Sequence, residues 1–272
     1  MGKQILDKAK WSALMEQMKA LCPEVFNENG DILNLVNGNW QNEGNLKPFN
    51  SSIDGALLGY YPMLKAKEGK EAVEYCAKEF KDWQKVELDK RKEWVAQTID
   101  EIEKHKELLS YLLVWEIGKP YLQSLDSVER CVDGVRWYVD NIESMLKDRT
   151  ALGVISNIAS WNYPLSVLVH ACLVQVLSGN TVIAKTPSDG GLWSLTACFA
   201  IAKRVGLPVS LISGSGGVLS EALVTHDAVD CLSYVGGKSN GRMIANSLYN
   251  KNKRYMLEME GVNSYGVWDF SD

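Results

Sequence analysis

Histidine is scarce in this chain: the three present, His105, His170 and His226, stand far apart in 272 residues. They form no local Ser/His/Asp arrangement and no metal cluster. Cysteine is present but never grouped. Cys22, Cys76, Cys131, Cys172, Cys198 and Cys231 make no CxxC pair and no Cys/His cluster, so no metal is expected, and reduced thiols in a cytoplasmic setting are. A basic excess is lacking as well. There are 29 Lys and Arg against 34 Asp and Glu, a formal net charge of -5, which argues against a nucleic-acid partner. The cluster Lys251-Asn252-Lys253-Arg254 reads as a solvated helix end. No apolar run is long enough to cross a membrane. The most apolar, Pro164 to Leu177, contains His170 and Gln175 and reads as a buried helix. The first ten residues carry charge but no apolar stretch of signal-peptide length. Finally, no G-x-G-x-x-G follows the first candidate strand of the nucleotide-binding type, so the ordinary dinucleotide fingerprint is missing.

What is present is ordinary in amount and informative in order. Apolar residues make up 46% and charged residues 23%, enough for a sizeable core. Residues 1–30 read as helical, with Trp11, Leu14, Met15, Met18 and Leu21 forming one docking stripe. Asn37-Gly38 after the apolar run Ile32–Val36 predicts a hairpin, and Asn50–Gly55 a turn. From Glu68 to about Leu146 the spacing predicts helices, interrupted at Gly118-Lys119-Pro120.

The texture changes at Leu152. Strands are predicted at 153–158, 181–184, 207–212, 229–234 and 254–257, with helices at 164–177, 192–205, after the glycines 214–217, and at 239–248. Apolar runs alternating with amphipathic helices predict an α/β fold: a doubly wound, mostly parallel five-stranded sheet with helices on both faces, preceded by a helical N-terminal region. The expected division is 1–150 for the hairpin and helical region, 151–257 for a Rossmann-like core, and 258–272 for the start of a further domain.

A doubly wound sheet binds ligands at the carboxyl ends of its strands, where helix N-termini expose backbone N–H groups. Three junctions qualify: Ala159 to Pro164, Lys185 to Gly191, and Gly236 to Arg242. Glycine at such turns is weak evidence taken singly, and the residues alone leave a nucleotide and a plain βα turn equally open.

The order of motifs decides more. Val36-Asn37-Gly38-Asn39-Trp40, Phe80-Lys81-Asp82-Trp83, Glu116-Ile117-Gly118-Lys119-Pro120, Trp161-Asn162-Tyr163-Pro164, Gly179 to Lys185, His226 to Asp230 and Tyr234 to Gly237 arrive in the sequence in which the aldehyde dehydrogenase superfamily carries its landmarks. The chain resembles that superfamily from about residue 33 onward. The resemblance implies an oxidoreductase that turns an aldehyde into an acid, or reduces an acyl thioester, with NAD or NADP.

Carried over position by position, the resemblance makes Asn162 the oxyanion donor and Glu258 the general base that activates water. Taken without the resemblance, Asn162 reads better as a cap of the helix beginning near Pro164. The cofactor-binding set would be Trp161, Lys185, Ser188, Asp189, Gly236, Gly237 and Gly241. Lys185 would bond the adenosine ribose. Thr186 looks inserted, which leaves Ser188 or Asp189 in the acidic role that separates NAD from NADP. Three departures stand out. The family's "TGS" turn has become Val235-Gly236-Gly237, and weaker cofactor binding is expected. Its "ELGGK" has become Glu258-Met259-Glu260-Gly261-Val262, which places bulk and charge near the nicotinamide. The stretch Tyr138 to Leu152 is short where the family often projects a subunit-joining hairpin.

The family's nucleophilic cysteine lies beyond the segment around Glu258, and none of the six cysteines stands at its position. The expectation is therefore a truncated, cofactor-binding portion, inactive alone, whose partners are a small aldehyde or acyl substrate and a separate catalytic domain or a second copy. The alternative is a non-catalytic nucleotide-binding or assembly module of the same descent.

Overall fold

A computed structural model of the chain describes residues 7–251, 253–261, 263, 264 and 266. The predicted hairpin forms from β1 (Asn34–Val36) and β2 (Asn39–Gln41), in register Leu35 to Trp40. Its two turn residues have φ of 52° (Asn37) and 76° (Gly38), the paired positive angles that suit Asn-Gly in a two-residue hairpin. The hairpin joins the main sheet, because Leu35 of β1 pairs antiparallel with Leu211 of β7 (Val209–Ile212).

All five predicted strands are parallel neighbours: β5 (Val154–Ile158), β6 (Thr181–Lys185), β7, β8 (Cys231–Gly236) and β9 (Arg254–Met259). The sheet order is β2-β1-β7-β6-β5-β8-β9, so the hairpin extends the expected five strands to seven. Both faces are covered. On β6, Val182 and Ala184 belong to one apolar cluster and Ile183 to another, the alternation of a strand buried on both sides. Ile183 shares its cluster with Ala72, Val73 and Cys76 of α2 (Ala66–Trp83). The opposite cluster contains α6 (His170–Leu177), entered through a π-helical turn at Pro164–Val169, and α7 (Leu192–Val205).

The helical region divides into α1 (Trp11–Leu21), α2, α3 (Leu88–Lys104), α4 (Lys106–Ile117) and α5 (Tyr121–Leu146). Helix α1 docks by the expected stripe, with Leu14 and Met18 fully buried. Its Trp11 meets the buried Trp193 ring edge-on at 5.3 Å, and its indole N–H donates to the Leu58 carbonyl at 2.8 Å. Gly118, with φ of 69°, ends α4 where the break was expected.

One element was not foreseen. Asn45–Asn50 and Leu57–Met63 pair as an antiparallel ribbon, β3 and β4, around the turn read at 50–55. Its first strand exposes most of its residues and contains Pro48, so it carries no alternating apolar signal. After α5, residues 147–153 lead directly to β5 with no intervening strand. Helices α8 (Gly216–Ser220), continued by a π-helical turn at Glu221–Thr225, and α9 (Lys238–Leu248) complete the chain's helices among the described residues.

Candidate functional site

From β5 the chain builds outward to β6 and β7 on one side, then crosses to β8 and β9 on the other. Loops leaving adjacent strand ends at such a reversal diverge and open a crevice. The segment after β5 and the turn after β8 flank it. Along this one edge stand Lys185 at the end of β6, Trp161 and Asn162 after β5, Gly236 at the end of β8 with Gly237 just after it, and Glu258 near the end of β9. Residues nearly a hundred positions apart are thus assembled by strand order alone.

Lys185 is 6% exposed, and its ammonium donates to the Thr186 carbonyl at 2.8 Å. Burial holds its pKa down to about 8; Asp189 partly opposes the shift and Lys47 adds to it. Ser188 and Asp189 lie exposed in the following turn. Thr186 is buried, and its hydroxyl shares a hydrogen bond of 2.8 Å with that of Ser213. The residue that looked inserted therefore ties the end of β6 to the end of β7 and points no hydroxyl at the crevice.

Trp161 and Asn162 are both exposed. Asn162 accepts the Ser160 hydroxyl at its Oδ1 (2.6 Å), which leaves the amide N–H₂ as the end free for another acceptor. The Lys119 ammonium donates to the Asn162 backbone carbonyl at 2.9 Å and lies 3.8 Å from the Tyr163 ring centroid. This lysine, read in the sequence as part of a helix break and of a family landmark but given no role at the site, clamps the loop that presents Asn162.

The turn after β8 is built around Tyr234. Its hydroxyl donates to the Gly237 carbonyl at 2.9 Å, and a Cβ on Gly236 would stand 2.6 Å from the Tyr234 hydroxyl oxygen. Gly241 lies one turn into α9, buried, where a Cβ would come within 2.3 Å of the Met259 sulfur. Close packing of α9 on β9 accounts for that glycine. Glu258 is exposed on β9, opposite Val235. Glu260 turns back from the end of β9: its Oε1 accepts the Lys238 backbone N–H, the first of α9, at 2.9 Å. Val262, Tyr265 and residues 267–272, within the stretch 258–272 expected to open a further domain, lie outside the described residues.

Five cysteines are buried and Cys231 is half-buried. Burial pushes the thiols of Cys22, Cys76 and Cys131 up to about 12 and raises those of Cys172, Cys198 and Cys231. Such thiols are poor nucleophiles. Among the described residues no group of three His, Cys, Asp or Glu could hold a metal, and no helix is long and apolar enough to cross a membrane.

The model of the aldehyde dehydrogenase family matches residues 40–272. The chain belongs to the aldehyde dehydrogenase family. It is 27% identical over 270 residues to the alpha-ketoglutaric semialdehyde dehydrogenase of Bacillus subtilis (strain 168), covering 91% of this chain and 55% of that protein. It is 25% identical to the D-glyceraldehyde dehydrogenase (NADP(+)) of Picrophilus torridus, covering 86% and 51%. Among solved structures, the NADP-dependent glyceraldehyde-3-phosphate dehydrogenase of Bacillus halodurans C-125, complexed with NADP, aligns with a TM-score of 0.77 at 25% identity, covering 85% of this chain and 53% of that one. The betaine aldehyde dehydrogenase of Staphylococcus aureus, in complex with NAD+, shares the fold with a TM-score of 0.81 at 20% identity, covering 92% and 52%. The chain spans about half the length of these aldehyde dehydrogenases.

Proposed function

We propose that this chain is the cofactor-binding portion of an aldehyde dehydrogenase-like oxidoreductase that uses NAD or NADP and is inactive by itself. The observation that carries the reading is Lys185, a lysine held in a buried setting at the carboxyl edge of the sheet, beside the exposed carboxylate of Asp189. An ammonium and a carboxylate at the end of a strand suit the two hydroxyls of a ribose, and a carboxylate there disfavours a 2′-phosphate, so NAD is the expected preference over NADP. The ribose end of a dinucleotide therefore fits these residues. The diphosphate end does not fit as it stands, because Glu260 already holds the first N–H of α9.

In the whole enzyme, the Asn162 amide would donate to the oxyanion formed when a cysteine thiolate from outside these residues attacks an aldehyde or acyl carbonyl. Glu258 would take the proton of the water that releases the acid. Residues 258–272 would begin the domain that supplies the thiolate, either in a longer polypeptide or from another chain. The second reading, a nucleotide-binding or assembly module without catalysis, draws on Glu260 and on the buried state of all the thiols except that of the half-buried Cys231.

Calorimetric titration with NAD and, separately, NADP tests the proposal. Weak saturable binding, tighter for NAD and abolished in Lys185→Ala, is the expected result. No heat from either nucleotide at millimolar concentration overturns the reading for this chain.

A further inference from the structure

Beyond the reading just given, and resting on it, we propose that Glu260 is a built-in anionic occupant of the diphosphate position, and that its carboxylate must leave before a dinucleotide can seat fully. In a doubly wound sheet, phosphate groups settle against the helix N-terminus that follows a strand at the switch point, because unpaired N–H groups and the helix dipole both favour negative charge there. Here that helix is α9, and its first turn contains no acidic residue of its own. The negative charge comes instead from Glu260, 22 positions later, whose Oε1 receives the Lys238 N–H at 2.9 Å.

Two further observations bear on this contact. The carboxylate also lies against the turn itself, since a Cβ on Gly237 would make ordinary van der Waals contact with the same Oε1, at 3.7 Å. The glycine turn is thus bordered by an oxygen that carries the same sign of charge as a phosphate. In addition, Glu260 has φ of 25°, a left-handed angle that glycine tolerates far better than glutamate. The contact is made from a backbone conformation that disfavours the residue making it. Release of Glu260 would therefore relieve the backbone while freeing the N–H.

The carboxylate and a nucleotide diphosphate compete for the same donor, and they also repel each other. Glu260→Gln keeps an acceptor for Lys238 and removes only the charge; Glu260→Gly removes both and suits the backbone angle. Glu260 is exposed, and thermal melting of each variant checks that the fold is retained. Glu43→Gln, which follows β2 at the opposite edge of the sheet, makes the same change in net charge and serves as the control.

Titration of NAD into the intact chain and these three variants is the experiment. Affinity should rise about tenfold or more in Glu260→Gly, by a smaller factor in Glu260→Gln, and not in Glu43→Gln. Inorganic pyrophosphate should show the same ranking. Adenosine, which has no phosphate, should bind all four alike. Equal NAD affinity in the intact chain and both Glu260 variants overturns the proposal and leaves the cofactor reading standing. Binding by Glu260→Gly with none by the intact chain supports the proposal while overturning the reading of the unaltered chain as a working cofactor portion. No binding of NAD or adenosine to any of the four overturns both.

Discussion

A buried lysine without a paired carboxylate is an expensive way to finish a strand. Lys185 donates one hydrogen bond to a neighbouring carbonyl, and burial, the largest cause, lowers its pKa from 10.5 to about 8. The sign of its effect on stability follows. Between about pH 8 and 10.5 the unfolded chain binds the proton that the folded chain has released, so stability rises with pH across that window and its full deficit is present below it. A shift of this size corresponds to roughly 3 kcal/mol of strain at neutral pH. Lys185→Met keeps the apolar stem and discards the charge, so it should stabilise the fold at pH 7 by roughly 1–3 kcal/mol while removing nucleotide binding. Denaturant unfolding of both proteins at pH 7 and pH 10 measures this: the gap should narrow at the higher pH. A destabilised variant at pH 7 would mean that Lys185 is a structural residue. The same residue shows what a sequence can and cannot reveal. Its place at a strand end was legible from the apolar run before it. The role of Thr186 was not, because a hydroxyl bond to Ser213 depends on the pairing of β6 with β7.

At the scale of elements, the capping of α7 has a comparable pH signature of opposite direction. Glu116, at the end of α4, is fully buried and accepts the backbone N–H groups of Trp193 (2.7 Å) and Ser194 (3.2 Å). It supplies from a distance the cap that Gly191 cannot. Burial raises its pKa to about 7, with the backbone donors of the α7 N-terminus pulling the other way. A carboxyl whose folded pKa lies above its unfolded value stabilises the fold at low pH, and that contribution is lost as pH rises from about 4.5 to about 7. Unfolding free energy should therefore fall by up to roughly 3 kcal/mol across this window. Glu116→Ala should destabilise by about 3 kcal/mol near pH 5, because two helix N–H groups lose their acceptor in a buried site, and should flatten the profile. An alanine variant that keeps the slope would show that another group titrates. The helices and parallel strands that this cap joins were readable because each buries a periodic apolar face. The β3–β4 ribbon was not, since Gly59 and Pro48 interrupt it and only Phe49 of its first strand is buried. Nor was the Glu116 contact, which spans 77 positions.

For the molecule as a whole, the sheet has two unlike borders. At one end β2 closes a hairpin, so its chain turns back immediately. At the other, β9 presents an outer edge with no paired strand among the described residues. Tyr255 is 45% exposed there and Met256 53%, beside a row of backbone N–H and C=O groups that have no ladder partner. A parallel sheet is ordinarily covered on both faces and guarded at its edges, and β9 meets neither condition. A net charge of -5 opposes association only weakly, because at physiological salt its reach is about 8 Å and β9 itself carries Arg254 and Glu258 in near balance. Edge pairing with a second copy is the available way to bury this strand when nothing else covers it. The weight-average mass should therefore climb above 30.3 kDa as concentration is raised, which static light scattering measures directly. Met256→Lys places a charge on the edge and should return the mass toward that of one chain with no loss of thermal stability. A mass that stays at 30.3 kDa at every concentration would show that β9 is protected in some other way, and a rise that persists in Met256→Lys would place the contact elsewhere on the surface.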